Sequence, residues 1–199
     1  EYLNNTWQIL NYNVGTNPTC VTSGHFDQDN ILDVAIGHES GQSVIIIGYD
    51  SLGQLHTKET IIHHQNIIDL ATGELNSDGY DDLVILSTDS AYVYLTSANG
   101  THQLSNLFFA GGSPEEIHME DLSGDGKLDL AILDNAAYEL KVCHGNSNGI
   151  FNSWEKYFTG IYYIVGKPTC LTSLDKDGDG SRDLMVGIFD TEETFCFKN

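Results

Sequence analysis

Basic residues are scarce in this chain. Its 199 residues include 8 Lys and Arg against 29 Asp and Glu, a formal net charge of −21. A nucleic-acid binder needs a basic face to neutralise phosphates, so that class is excluded. Electrostatic attachment to anionic lipid is disfavoured for the same reason. No apolar run reaches the length of about 18 residues that a membrane span needs, so no membrane insertion is expected. No basic stretch followed by an apolar one opens the chain, so no signal peptide is read. The start at Glu1 is read as that of a mature product or an excised domain. Catalytic signatures are missing as well: there is no Gly-x-Ser-x-Gly elbow, no Walker loop and no His-Glu-x-x-His. His63 and His64 are adjacent, and neighbours on a strand point to opposite faces, so they do not chelate together. The expectation is a protein that is not an enzyme.

What the chain does contain is an acidic nine-residue loop, four times over. The copies span 25–33, 74–82, 121–129 and 175–183. Oxygen-bearing side chains stand at positions 1, 3, 5 and 9, and Gly or Asn at position 6. The fourth copy carries Asp175, Asp177, Asp179 and Asp183; the third carries Asp121, Ser123, Asp125 and Asp129. The second carries Glu74, Asn76, Asp78 and Asp82; the first has Asp27, Asp29 and Asp33 but His25 at position 1. A hard cation such as calcium takes about six to eight oxygens in a compact shell, and alternate residues of a tight loop supply them. The carbonyl at position 7 would add one more, from Ile31, Tyr80, Lys127 or Ser181. A lone loop of this composition is ordinarily a solvated turn, because Asp, Asn and Gly favour turns without any metal. Positions 1, 3, 5 and 9 of the four loops hold 13 of the 29 acids, so the acidity is local and suited to metal. Ligand charge ranks the copies four, three, two, one, for up to four Ca²⁺ ions.

These loops are not EF-hands. Position 12 is Ile36, Ile85, Ile132 or Val186 where an EF-hand needs a bidentate Glu. Position 9 instead opens a short apolar run, which reads as a buried strand. Asp33, Asp82, Asp129 and Asp183 are spaced by 49, 47 and 54 residues. A period near 50 fits a four-stranded propeller blade. With 40% hydrophobic residues the chain can bury a core, so the fold class is all-β, a single propeller domain over 1–199 with four visible blades. The blades run 15–64, 65–111, 112–166 and 167–199, and residues 1–14 are an outer strand. The fourth unit lacks its last strand. Trp7 and Val14-Gly15 match Trp154 and Val165-Gly166, so the segment from Trp7 to Val14 is expected to close the last blade. A longer propeller cut at this phase is the alternative. The two tryptophans are read as matched packing residues rather than a sugar platform. Four cysteines are few for a disulfide scaffold. If the ring closes, Cys20 and Cys170 lie on neighbouring inner strands and form the one plausible bridge; otherwise all four are small buried hydrophobes.

The Asp-x-Asp/Asn/Ser-x-Asp-Gly-x-x-Asp-Leu loop followed by an apolar strand resembles the FG-GAP/VCBS repeat, over about Gly15 to Phe197. That repeat builds the β-propeller of integrin α subunits and of many secreted proteins. The resemblance implies calcium in each intact loop and a binding or adhesion role. It departs from the family in showing four blades where seven are common, and in His25 and Asn30 of the first loop. The resulting expectation is a calcium-stabilised extracellular module, secreted or part of an ectodomain, that recognises protein or glycan. Asn4-Asn5-Thr6 and Asn99-Gly100-Thr101 are glycosylation acceptor triplets in keeping with secretion. The alternatives are a lectin with sugar sites between blades, or an accessory propeller of a larger secreted enzyme.

Overall fold

The apolar run after each acidic loop becomes the second strand of an antiparallel sheet. A computed structural model describes residues 11–39, 42–151, 154–159, 166–189 and 194–199. The first sheet holds β1 (Pro18–Gly24), β2 (Asp33–His38), β3 (Ser43–Tyr49) and β4 (Leu55–Ile62) in that order. The second holds β5 (Ile67–Gly73), β6 (Asp82–Ser87), β7 (Ser90–Thr96) and β8 (His102–Phe109). The third holds β9 (Pro114–Glu120), β10 (Asp129–Asp134), β11 (Glu139–Cys143) and β12 (Glu155–Phe158). The fourth holds β13 (Lys167–Leu174), β14 (Asp183–Phe189) and β15 (Thr194–Phe197). Each strand pairs with its chain neighbours, the meander of a propeller blade. Among the described residues no helix is long and apolar enough to cross a membrane.

Between their end residues the second strands carry no polar side chain, and those of the two middle blades are buried on both faces. Successive side chains on a strand point to opposite faces. On β6, Leu83 and Ile85 meet Ala35, Val44 and Ile46 of the first sheet. Val84 and Leu86 of the same strand meet Ile117, Leu130 and Ile132 of the third. On β10, Ala131 and Leu133 meet Leu171, Leu184 and Val186 of the fourth. The inner strands β1, β5, β9 and β13 lie side by side in chain order. Each carries one apolar residue that packs on the preceding blade. Leu70, Ile117 and Leu171 are 5–6% exposed there, whereas the matching Val21 is 68% exposed because no described blade precedes it. All four inner strands also bulge at one place, after Pro18, Ile67, Pro114 and Pro168. The chain's three prolines thus stand at strand starts beside a bulge, where a missing amide does not break the ladder.

Closure through the N-terminal segment is not observed. Residues 1–10, and with them Trp7, lie outside the described residues, and residues 11–14 form no strand. Tyr12 Oη lies 3.2 Å from Thr57 Oγ1, so this stretch sits at the outer edge of the first sheet, not against β15. Among the described residues the fourth sheet has three strands. The inferred Cys20–Cys170 bridge is corrected: Cys20 and Cys170 are not joined in a disulfide. Each of that pair instead faces a glycine of its own sheet, Cys20 opposite Gly37 and Cys170 opposite Gly187. The expected fourth strand from Trp154 to Val165 is β12 as far as Phe158, and 160–165 lie outside the described residues.

Two outcomes are expected. Ile85→Ala should lose about 3 kcal/mol in chemical denaturation, because it opens a cavity between two sheets. Val21→Ala should stay within about 0.5 kcal/mol; equal losses would show that the two residues are covered alike. Burial, helped by Asp69, pushes the Cys20 thiol up to about 11, and burial with Asp129 pushes Cys143 up to about 12. Cys170 is exposed. The thiolate is the reactive form, so alkylation of the folded protein at pH 8 should modify Cys170 first and reach Cys20 and Cys143 on unfolding.

Candidate metal centre

Each acidic loop joins an inner strand to the second strand of its blade, and its side chains fold the loop upon itself. The position-5 carboxylate accepts the position-7 amide in all four copies: Asp29 from Ile31 (2.8 Å), Asp78 from Tyr80 (3.0 Å), Asp125 from Lys127 (2.9 Å) and Asp179 from Ser181 (2.8 Å). Position 3 accepts the position-5 amide in Asp27, Asn76 and Asp177. In the last three copies position 1 gathers amides from positions 3 to 6. Asp175 takes Gly178 and Gly180. Asp121 takes Gly124, Asp125 and Gly126. Glu74 takes Asn76, Ser77, Asp78 and Gly79. Position 6 has positive φ in every copy: Asn30, Gly79, Gly126 and Gly180 at 56°, 92°, 82° and 90°. Gly and Asn are the residues that adopt this conformation at low cost.

Position 9 stands apart from the others. Asp33, Asp82, Asp129 and Asp183 are at most 1% exposed. Asp82 accepts Leu75 N at one oxygen and Thr96 N, at the end of β7, at the other. Asp129 accepts Leu122 N, Ser123 N and Gly145 N. Asp183 accepts Lys176 N and Asn199 N. One carboxylate thus ties the loop to the end of the third strand, with lone pairs left for a cation. Burial pushes the Asp82 carboxyl up to about 6 against the pull of the Thr96 and Leu75 amides, and Asp78 and Glu74 add to the rise. A divalent cation beside it would favour the charged form. Asp125 is held low by the Lys127 amide and side chain, and Asp177 by the Lys198 ammonium.

The copies differ in what they offer a cation. In the fourth, oxygens of Asp175, Asp177 and Asp179 all lie within 4.8 Å of one another, and Asp183 and the Ser181 carbonyl belong to the same loop. This donor set fits a hard divalent ion. Lys198 leans over it, 2.5 Å from Asp177, but is 62% exposed and so readily displaced. The third loop offers Asp121, Ser123, Asp125 and Asp129, and the second Glu74, Asn76, Asp78 and Asp82, on the same ladder. The first does not fit. There the ammonium of Lys58 lies 2.7 Å from Asp27, 3.0 Å from Asp29 and 2.8 Å from Asp33. Burial raises the Asp33 carboxyl, and Lys58 opposes that rise. Sequence reasoning missed Lys58, although it is the one basic residue before Lys127.

The loops also join blades. Their second residues Phe26, Leu75 and Leu122 are buried in the inter-sheet clusters. Gly149 N, in the turn after β11, donates to Leu75 O, and Asn199 Nδ2 donates to Leu122 O. The first and second loops meet directly, Asp81 N donating to His25 O and His25 N to the Asp81 carboxylate. Beside the third loop, a cavity of about 360 Å³ opens between the third and fourth sheets, lined by His144, Glu155, Tyr157, Arg182 and Phe197 among others.

Comparison with known proteins gives the same architecture. Residues 74–132 and 121–186 match the FG-GAP-like repeat. Integrin alpha-PS2 of Drosophila melanogaster is 23% identical over 221 residues, covering 90% of this chain and 16% of that protein. A solved protein from Lactobacillus plantarum superposes with a TM-score of 0.63 at 16% identity, over 86% of this chain and 50% of its own. An Agrocybe aegerita lectin, described as recognising non-reducing terminal N-acetylglucosamine, does so at 0.58 and 18% identity, over 82% of this chain and 45% of its own. The chain therefore spans about half the length of these solved structures and a small part of the integrin subunit.

The two kinds of loop aspartate should separate on mutation in the presence of chelator. Asp129→Ala orphans the amides of Leu122, Ser123 and Gly145 and is expected to cost about 3 kcal/mol. Asp179→Ala, on the exposed side of its loop, should cost no more than about 0.5 kcal/mol. Urea melts of both variants check this, and similar losses would mean that position 9 is no latch.

Proposed function

Because the chain belongs to the FG-GAP-like repeat family, we propose that it is a calcium-stabilised, non-enzymatic module that binds a protein or glycan partner outside the cell. The observation that carries the calcium reading is the fourth loop, where three carboxylates converge on a backbone already folded by its own amides. Asp175, Asp177, Asp179, Asp183 and the Ser181 carbonyl would hold the ion. The third loop would follow with Asp121, Ser123, Asp125, Asp129 and the Lys127 carbonyl, and the second with Glu74, Asn76, Asp78, Asp82 and the Tyr80 carbonyl. The cation would neutralise carboxylates that otherwise repel one another. It would thereby fix loops whose second residues plug the seams between blades. Similarity to an integrin α subunit supports the extracellular setting and the adhesion role.

A lectin is the second reading. The cavity between the third and fourth sheets favours it, since Tyr157 offers a ring beside the polar groups of Glu155, His144 and Arg182. The likeness to a lectin that recognises N-acetylglucosamine supports it at the level of fold.

Calcium should raise the thermal midpoint over that in chelator. Sites of the extracellular class, with Kd of about 0.1–1 mM, contribute roughly 0.4–1.4 kcal/mol each at millimolar calcium. Asp179→Ala should remove the largest share. An unchanged midpoint together with no heat of calcium binding in calorimetry would reject the reading. A glycan array, probed in calcium with the native protein and with Tyr157→Ala, separates the two partner classes. Glycan signal lost in the variant supports the lectin, and a blank array with integrin-like protein capture supports the adhesion module.

A further inference from the structure

We propose that Lys58 is a tethered cation which takes the place of the divalent ion in the first loop, so that the first blade is held without metal while the others respond to it. The ammonium donates to Asp27 Oδ2 at 2.7 Å and to Asp29 Oδ2 at 3.0 Å, and pairs with Asp33 Oδ1 at 2.8 Å. These are positions 3, 5 and 9, the same ones that carry side-chain oxygens toward a cation in the other copies. Lys58 keeps 14% of its side-chain exposure, unlike the loosely placed Lys198 at 62%.

Three features of the first blade build this site. First, Lys58 is the extra residue of a β-bulge. Ile46 pairs with Glu59 and Ile47 with Thr57, which leaves Lys58 without a partner on β3. A bulge re-aims its side chain. The matching bulge of the second sheet leaves out Ser105, which has no charge, and the described β11–β12 pairs end at Val142 and Glu155. Second, Val34 pairs with Ile47, so Gly48 comes next opposite Asp33. A Cβ at Gly48 would lie 2.0 Å from Asp33 Oδ1 and 2.5 Å from Lys58 Cε. The bare glycine is what lets the lysine cross from β4 to the loop. The residues that follow the same way in the other blades are Leu95, His144 and Lys198, all with side chains. Third, Asp33 lacks the amide latch of its counterparts. Among the described residues neither of its buried oxygens accepts a well-aligned hydrogen bond, and the neighbouring ammonium is its charge partner.

The charges agree. In the fourth loop four carboxylates facing a divalent ion would leave two negative charges. In the first loop, where His25 replaces the acid at position 1, three carboxylates facing one ammonium leave the same two. The inference rests on the calcium reading only for the choice of ion.

The test compares the native chain with Lys58→Met and Lys58→Arg, by calorimetric titration with calcium and by thermal melting in chelator and in calcium. Lys58→Met is expected to bind one more calcium ion than the native chain. Its midpoint in chelator should fall by roughly 4 °C or more, and calcium should recover most of that fall. Lys58→Arg should keep the native stoichiometry. If Lys58→Met matches the native chain in both stoichiometry and calcium shift, the proposal is overturned. The native chain's own calcium shift tests the proposed function separately, since this inference reads only the difference between variant and native. Should Lys58→Met stay unfolded even in calcium, the variant Lys58→Met/Asp27→Asn/Asp29→Asn decides. Recovery of the fold without calcium supports the charge role, and continued unfolding shows that the lysine stem is needed for packing and overturns it.

Discussion

A buried carboxylate at the head of each second strand is the constraint on which the rest of the structure depends. Asp33, Asp82, Asp129 and Asp183 are sealed from solvent at the junction of loop, second strand and third strand. An ionised group taken out of water needs partners of its own. In three blades the partners are backbone amides, from the start of the loop on one side and from the end of the third strand or just past it on the other. That arrangement fixes where the loop begins and where the third strand ends. The first blade satisfies the same carboxylate by a different route, with an ammonium brought over from its fourth strand.

The loops are therefore not appendages to the propeller. Their second residues, Phe26, Leu75 and Leu122, fill the seams between successive sheets. Hydrogen bonds such as Gly149 N to Leu75 O carry the contact to the next blade. Any ion bound by a loop would act on the docking of two blades, not on one turn alone. Repeat proteins gain their stability from such nearest-neighbour interfaces. A surface built from rigidly docked blades suits partner recognition, because little ordering remains to be done on binding.

The repeats differ from one another in the carboxylate clusters of their loops. The fourth loop keeps four aspartates and its glycines. The second replaces Asp with Glu74 and Asn76, and Ser77 takes a positive φ of 63° where the third and fourth loops have Gly124 and Gly178. The first has lost the position-1 acid and gained Lys58. The common element is a carboxylate cluster whose charge needs compensation, and in the first loop the chain itself supplies an ammonium.

The sequence by itself determined the blade count, the strand order and the loops. Alternation of turn residues with short apolar runs at a period near 50 leaves few architectures open, and the loop carboxylates at positions 1 and 5 accept amides within five positions. Local hydrogen bonding is readable from local sequence for that reason. The ends of the arc and the pairing of distant residues were not readable. The match between residues near Trp7 and Trp154 suggested closure, yet Tyr12 lies against Thr57 of the first sheet, and Cys20 and Cys170 remain free thiols. Lys58 was hidden because its meaning comes from a bulge in β4 and a missing Cβ at Gly48, two features that act only once three strands are side by side. Which acids stay at the surface and which are sealed from solvent was likewise decided by tertiary structure: positions 3, 5 and 9 look alike as letters, and position 9 is the one buried in every blade.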